Sequence, residues 1–531
     1  MRKNFFRIFL LAMVLGILSS SFVVWGADVQ PTWKTDTSPV TFDWYLNFSW
    51  FPNKWGVDDT SQYITKKTGV SLNLIVPAGN ENEKLNTMIA SNTLPDFITL
   101  GWWEEPLRKM IEGELVYPLN QLADKYDAYF YKVAVPARLG WYRQPDGNVY
   151  GYPNASFAPE DFKKFKVKSN MTFNVREDIW EAIGKPNMRT PDGFLKALQA
   201  AKKKFPTVNG QPLIPIGFHE FNPTGNDSFQ KYLESFLAIP MEKNGQFHDG
   251  ALGLNDPEYI RWLKTFRKAN ELGLIAKDVF IDKRAQMEEK IAQGRYFCML
   301  YQRTDFAQQN LNLYARDPKV CYQAIDGPAN SKLDPPQLEG PGISGWTVTL
   351  ISKNCKNPDR AIRFMSYWMS EEGQRDFYFG RLGFTSEMVD GKQQFIPEAL
   401  KVKNTDRAAF DKKYGADQTF WMLMDNPMFE QWAPPLPAPN LQMEQWTIGK
   451  AVSKAAYGDI IPPPDTPEGL AHKKISELWG VTLPKLILAK SDAEFDKIWK
   501  DFQDKKMKFG YEIVQKWQQN KVNEHKKKLG M

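Results

Sequence analysis

Histidine and cysteine are scarce in this sequence, with four and three in 531 residues. His219, His248, His472 and His525 lie far apart, which argues against a histidine-based triad or metal cluster. Cys298, Cys321 and Cys355 are too few for a disulfide scaffold. One disulfide could form in an exported protein, but the spacing does not specify it. Cys298, inside an apolar run, reads as a small core residue. Also missing are a phosphate-binding loop, a dinucleotide fingerprint, a nucleophile elbow, a zincin helix and a Cys-x-x-Cys pair. No stretch beyond the N-terminus is long and apolar enough to span a bilayer. With 42% hydrophobic and 24% charged residues the composition is globular, and the length suggests two or three domains.

The N-terminus has the pattern of a secretory signal over 1–26. Arg2, Lys3 and Arg7 precede an apolar segment over 8–18, and Val24 and Gly26 suit cleavage after Gly26. The competing reading is an uncleaved anchor, since 8–25 is borderline for spanning. No cysteine near the junction offers a lipid anchor. Cleavage leaves 65 basic against 62 acidic groups, a net charge of +3. That gives little case for nucleic acid.

Tryptophan is what the sequence has in excess, with 18 residues. Trp44, Trp180, Trp262, Trp368, Trp499 and Trp517 fall on apolar stripes and read as core. Trp50, Trp102, Trp103, Trp141, Trp346, Trp432 and Trp446 fall in loops or at strand ends. A flat ring covers the C–H face of a pyranose while nearby polar groups bind its hydroxyls, so this second set points toward sugar. Glu104 and Glu105 beside Trp102 and Trp103 could resemble a glycosidase acid/base pair. A solvated loop explains them more simply. The sequons that begin at Asn47, Asn154 and Asn170 are short patterns expected by chance.

Along the chain, 42–48 alternates as a strand, 59–68 reads as a helix closed by Gly69, 70–76 as a strand and 83–90 as a helix. A turn at 94–96 feeds an apolar strand that ends near Gly101. This order predicts a parallel sheet, with ligand bound outside the carboxyl ends of its strands. Further helices are expected over 191–204, from Thr190 and Pro191, and over 257–272. Strands are expected at 296–301 and 346–351. Asn357 and Pro358 start a helix that ends at 371–373, and the C-terminus is helical.

The segment KLNTMIASNTLPDFI at 84–98 resembles the LNLMLASGDLPD block of bacterial extracellular solute-binding proteins of family 1, the sugar-capturing components of ABC importers. GELVYPL at 113–119, DGNVYG at 146–151, VREDIW at 175–180, ELGLI at 271–275, GWTVT at 345–349 and Asn357-Pro358 agree in order. The resemblance covers the mature chain and is nearest to the LplA-like and alginate-binding branch. It implies a two-lobed α/β periplasmic-binding-protein fold of type II with the ligand in the cleft between lobes. Crossings are then expected near 155–172, 325 and 380–390. The first lobe takes 27–160 and 326–385, and the second takes 161–325 and most of 386–531.

The resemblance implies a monomeric, non-catalytic periplasmic protein that binds an oligosaccharide, serves ABC transporter transmembrane subunits and needs no cofactor. It places Asn47, Trp50, Lys54, Trp102, Trp103, Tyr301, Arg303, Trp346, Trp432 and Trp446 at the cleft. Trp141, Arg143, Arg176 and Asp178 complete the candidate set. Arg143, Arg176 and Arg303 either bind uronate carboxylates or are structural. Alginate-binding members carry a calcium loop after the helix that corresponds to 191–204. Residues 205–211, FPTVNGQ, lack the carboxylates for one, so no metal is expected there. A secreted carbohydrate-active enzyme and a binder of another solute are the alternatives.

Overall fold

The computed structural model describes residues 30–51, 54–79, 81–248 and 255–531. The signal segment lies outside them. Two sheets organise the chain. The principal elements in chain order are β1 (Val40–Leu46), α1 (Asp59–Thr68), β2 (Val70–Ile75), α2 (Glu81–Ser91), β3 (Phe97–Gly101), α3 (Glu105–Glu112) and β4 (Gly151–Pro153). There follow β5 (Met171–Arg176), α4 (Pro191–Lys204), β6 (Ile214–Gly217), α5 (Pro257–Glu271), β7 (Tyr296–Gln302) and β8 (Tyr322–Ala324). Then come β9 (Thr347–Ile351), α6 (Pro358–Met369), α7 (Glu371–Phe379), α8 (Pro467–Leu488), α9 (Asp492–Lys508) and α10 (Tyr511–Leu529).

The first sheet has the order β2-β1-β3-β9-β4, with β1, β2 and β3 parallel and β9 antiparallel to both its neighbours. Chain order reverses between β1 and β3, so the ends of these two strands define a switch-point crevice. Local chemistry sets the elements. Asp58 caps α1 by accepting from the Ser61 N–H, and Gly69 closes it in the left-handed region at φ 74°. A Cβ on Gly69 would also meet the Thr37 carbonyl at 2.1 Å. Trp44 stacks on Phe97 at 4.3 Å, and Trp368 stacks on Phe377 at 3.6 Å. Each such burial contributes about 1.5–3 kcal/mol.

The second sheet has the order β8-β5-β7-β6, with β5 antiparallel to β7 and β8. Phe173, Phe194, Ile216, Trp262 and Phe266 build its core, and Trp479, Phe495 and Phe502 extend it into α8 and α9. In α4, Thr190 accepts from the Gly193 N–H with Pro191 at the first turn. The 205–212 segment holds a small hairpin whose turn residues Asn209 and Gly210 have φ of 50° and 74°.

Three expectations are corrected. Residues 371–373 open α7 rather than ending α6, because Ser370 caps the Gly373 N–H at 3.1 Å and two glutamates occupy the first turn. The second crossing falls after 339, not near 325, since Leu338 packs in the second core and Leu338–Glu339 pairs with Ala451–Val452. Residues 386–432 stay with the first lobe. Phe395, Phe410 and Tyr414 pack with Phe379, and Phe420, Met422 and Leu423 join the first core. The chain reaches the second core only with Met443, beyond the proline-rich 433–440 segment.

Candidate functional site

β1 and β3 deliver Asn47 and the 101–104 turn to the crevice. The Asn47 side chain is fully buried. Its oxygen accepts from the Tyr45 hydroxyl at 3.0 Å, and its NH₂ donates to Asn82 at 3.1 Å and to Glu104. The other Glu104 oxygen accepts from the Gly101 N–H at 2.6 Å. Glu104 is therefore no solvated loop residue: it ties the turn together. Burial pushes its carboxyl above the usual range, the Gly101 and Asn47 donors oppose this, and the nearby Glu81 charge adds to it. Asn47, expected as a ligand contact, spends its amide on this scaffold.

Beside these strand ends lies an aromatic wall. Trp50 is 54% exposed and near-parallel to Trp346, with 12° between planes and 6.1 Å between centroids. Trp421 lies 5.3 Å from Trp50 and 5.1 Å from Trp346, and Phe48 packs beneath all three. Among the described residues the buried Trp421 Nε1 has no hydrogen-bond partner. Trp421 was not among the sequence candidates. Its place depends on Asn154, which accepts from the Thr347 N–H at 2.6 Å and donates to the Trp421 carbonyl. Gly345 precedes Trp346 at φ 73°, where a Cβ would meet the Asn154 carbonyl at 2.0 Å. Asn154, at the start of the first crossing, thus holds the backbone at both tryptophans.

Trp102 and Trp103 follow β3 as an edge-to-face pair at 5.8 Å, with Trp103 53% exposed. Trp102 lines a cavity of about 520 Å³ together with Trp141, Arg143 and His525 of α10. Trp141 donates to Ser344 at 3.0 Å and packs on the His525 ring at 4.5 Å. Arg143 donates to the Gly147 carbonyl. Lys54 is exposed.

The second lobe supplies a polar floor. A cavity of about 340 Å³ is lined by Lys168, Asn170, Asp227, Lys231, Gln302, Arg303, Glu339 and Glu444, with Asn426 and Glu430 from the first-lobe side and Phe157 and Gly340 from the crossings. Arg303 is largely buried, donates to the Ser169 carbonyl at 2.9 Å and lies 3.6 Å from Glu444.

Other candidates lie elsewhere. Tyr301 is buried against His219 at 4.3 Å, and Gln302 next to it faces the cavity instead. Arg176 and Asp178 pair at 2.7 Å, and Arg176 donates to the Gly294 carbonyl. Because β5 runs antiparallel to β7, Arg176 lies at the sheet end opposite Gln302 and Arg303. Trp432 packs into the first lobe among Tyr378, Phe379 and Phe429. Trp446 stacks on Phe236 at 5.9 Å with the Lys450 ammonium 4.2 Å from its ring centre. Both rings pack against the protein itself. All three cysteines are buried and unpaired.

An aromatic wall on one α/β lobe and a polar floor on the other define a two-lobed binding protein. The model of the bacterial extracellular solute-binding protein family matches residues 61–401, and the chain belongs to that family. Its fold is similar to that of alginate-binding protein AlgQ2 solved without calcium, at 20% identity and a TM-score of 0.65 over 93% of this chain and 100% of that one. It is likewise similar to FusA, an ABC-transporter substrate-binding protein of S. pneumoniae in complex with kestose (17% identity, TM-score 0.67, 92% and 99% covered). A third is the HMO-binding ABC-transporter-associated solute-binding protein of Bifidobacterium longum infantis (12%, 0.64, 92% and 99%). No curated protein sequence matches the chain. The family is one of binding proteins rather than enzymes.

Proposed function

We propose that this protein is the extracytoplasmic binding component of an ABC importer, and that it captures an oligosaccharide from plant or algal polysaccharide without transforming it. The Trp50–Trp346–Trp421 wall carries this reading. Three grouped indoles offer flat apolar surface for sugar rings, and the polar cavity between the lobes offers donors and acceptors for hydroxyls. Closure of the lobes about the crossings would bury the ligand and present the closed form to transmembrane subunits. The carbohydrates named for AlgQ2, FusA and the HMO-binding protein support a sugar ligand, and the sequence blocks at 84–98 and beyond support a place near the LplA-like and alginate-binding branch. The 1–26 signal pattern supports export to the periplasm.

Calorimetry across gluco-, manno-, xylo-, fructo- and uronate oligosaccharides tests the reading. Saturable binding of at least one is expected. Binding of none would overturn the sugar assignment.

A further inference from the structure

The floor of the cleft is rich in charge, and each of its cations has a carboxylate beside it. Lys168 pairs with Glu430 and lies 3.4 Å from Glu444. Arg303 lies 3.6 Å from the same Glu444, and Lys231 lies 3.3 Å from Asp227. Glu339 adds a fourth carboxylate to this cavity. On the opposite lobe, Glu81 accepts from the Ser49 N–H and hydroxyl at 2.8 and 3.0 Å, and Glu104 braces the turn that carries Trp102. Among these residues, six carboxylates stand against three cations. Of the other cations, Arg176 is at the far sheet end, Lys54 is exposed to water, where its charge is screened, and Arg143, Lys521 and Lys528 line the separate cavity beside Trp102.

We propose that the cleft selects an uncharged oligosaccharide and rejects uronates, an inference that rests on the sugar-binding reading above. A ligand carboxylate needs a cation or a donor cluster that the protein has not already neutralised. Here it would meet Lys168 or Arg303 only next to Glu430 and Glu444, and Lys231 only beside Asp227 at a solvent-exposed pair, and like charges at that range oppose binding. To win either cation it would have to displace a partner and leave a half-buried carboxylate unpaired. A hydroxyl has no such difficulty. It donates to a carboxylate with its proton and accepts from an ammonium with its lone pairs, so a compensated floor of mixed sign suits neutral sugar on both counts. Burial supports the pairing of Arg303: it pushes the guanidinium below its ordinary range, and Glu444 and Glu430 hold it back up.

The test compares neutral gluco-, manno-, xylo- and fructo-tetrasaccharides with mannuronate and galacturonate tetrasaccharides by calorimetry at low ionic strength. At least one neutral ligand should bind, and both uronates should bind at least about tenfold more weakly than it. A uronate that binds as tightly as the best neutral ligand would overturn the charge inference and leave the sugar reading standing. Binding of no sugar would overturn both. Glu430→Gln with Glu444→Gln should free Lys168 and Arg303 and improve uronate binding about tenfold relative to the neutral ligand. Absence of that gain in folded protein would also overturn the inference. If circular dichroism shows the double variant unfolded, Glu444→Gln alone is read in the same way.

Discussion

The indole of Trp50 lies near-parallel to that of Trp346, 12° between planes and 6.1 Å between centroids, although one follows β1 and the other precedes β9. Neither ring completes the core beneath them, which Trp44, Phe97 and Trp368 already fill. Trp44 donates to Thr99 at 2.8 Å, and Thr99 bonds Thr349 at 2.8 Å, so the strands under the wall are locked side by side. Trp50→Ala should then weaken the tightest-binding oligosaccharide by about 1–3 kcal/mol with little effect on folding, the ordinary cost of losing an aromatic anchor. Trp421→Ala and Trp102→Ala should weaken it to a similar degree. Calorimetry together with thermal melts separates lost contacts from lost stability. Unchanged affinity in any one variant removes that ring from the site.

Arg138 offers a test of the hinge support. Its buried guanidinium pairs with Asp425 at 2.6 Å and donates to the Ser156 carbonyl at 2.9 Å, joining the first crossing to the segment after Trp421. Asp425 also accepts from the Met428 N–H at 3.0 Å. Arg138→Met would leave that carboxylate buried without its cation, at a cost of about 3–5 kcal/mol. Adding Asp425→Asn should recover part of the loss, because the amide keeps an acceptor and sheds the charge. Equal melting temperatures for the wild type and Arg138→Met would rule out this role.

Histidine sets an acid limit on stability. The His219 ring is packed between Tyr301 at 4.3 Å and Tyr232 at 4.9 Å, and burial pushes it down to about 4 from 6.5. His525, beneath Trp141, is likewise pushed down to about 4, first by burial. Between pH 6.5 and about 4 the unfolded chain takes up protons that these buried rings refuse. Stability is complete above 6.5, falls as pH drops through that window and loses no more from this source below it. His219→Phe keeps the ring packing and removes one titration. Its melting temperature should fall less steeply across the window than that of the wild type, and parallel curves would refute the assignment.

Much of this was legible in the sequence because it is local. Gly69 ending α1, Thr190 and Pro191 opening α4, and the strand after the Pro95-Asp96 turn all rest on neighbours a few residues apart. What escaped depends on distant partners. Trp421 sits in a short turn of helix with no periodicity to mark it, and distant partners such as Asn154 and Phe48 bring it to the cleft. Arg176 was legible as a strand end. Which end faces the cleft depends on β5 running against β7, and that no local pattern records. The Phe395, Phe410 and Tyr414 cluster is apolar in the same way whichever lobe receives it, so its assignment required the tertiary contact with Phe379.

Cysteine chemistry gives the last test. Cys298 is fully buried in β7, and its thiol is within 3.2 Å of the Pro215 carbonyl. Burial pushes the thiols of Cys321 and Cys355 up to about 12, with Glu177 acting on the first and Asp96 on the second. Cys298 is raised as well, by burial alone. The thiolate is the reactive form, so low accessibility and raised pKa both suppress attack. A chromogenic disulfide reagent at neutral pH should find almost no reactive thiol in the native protein. After unfolding in denaturant without reductant it should titrate all three. A single thiol after unfolding would mean that two cysteines had been joined, in conflict with the free, buried state of Cys298, Cys321 and Cys355 in this fold.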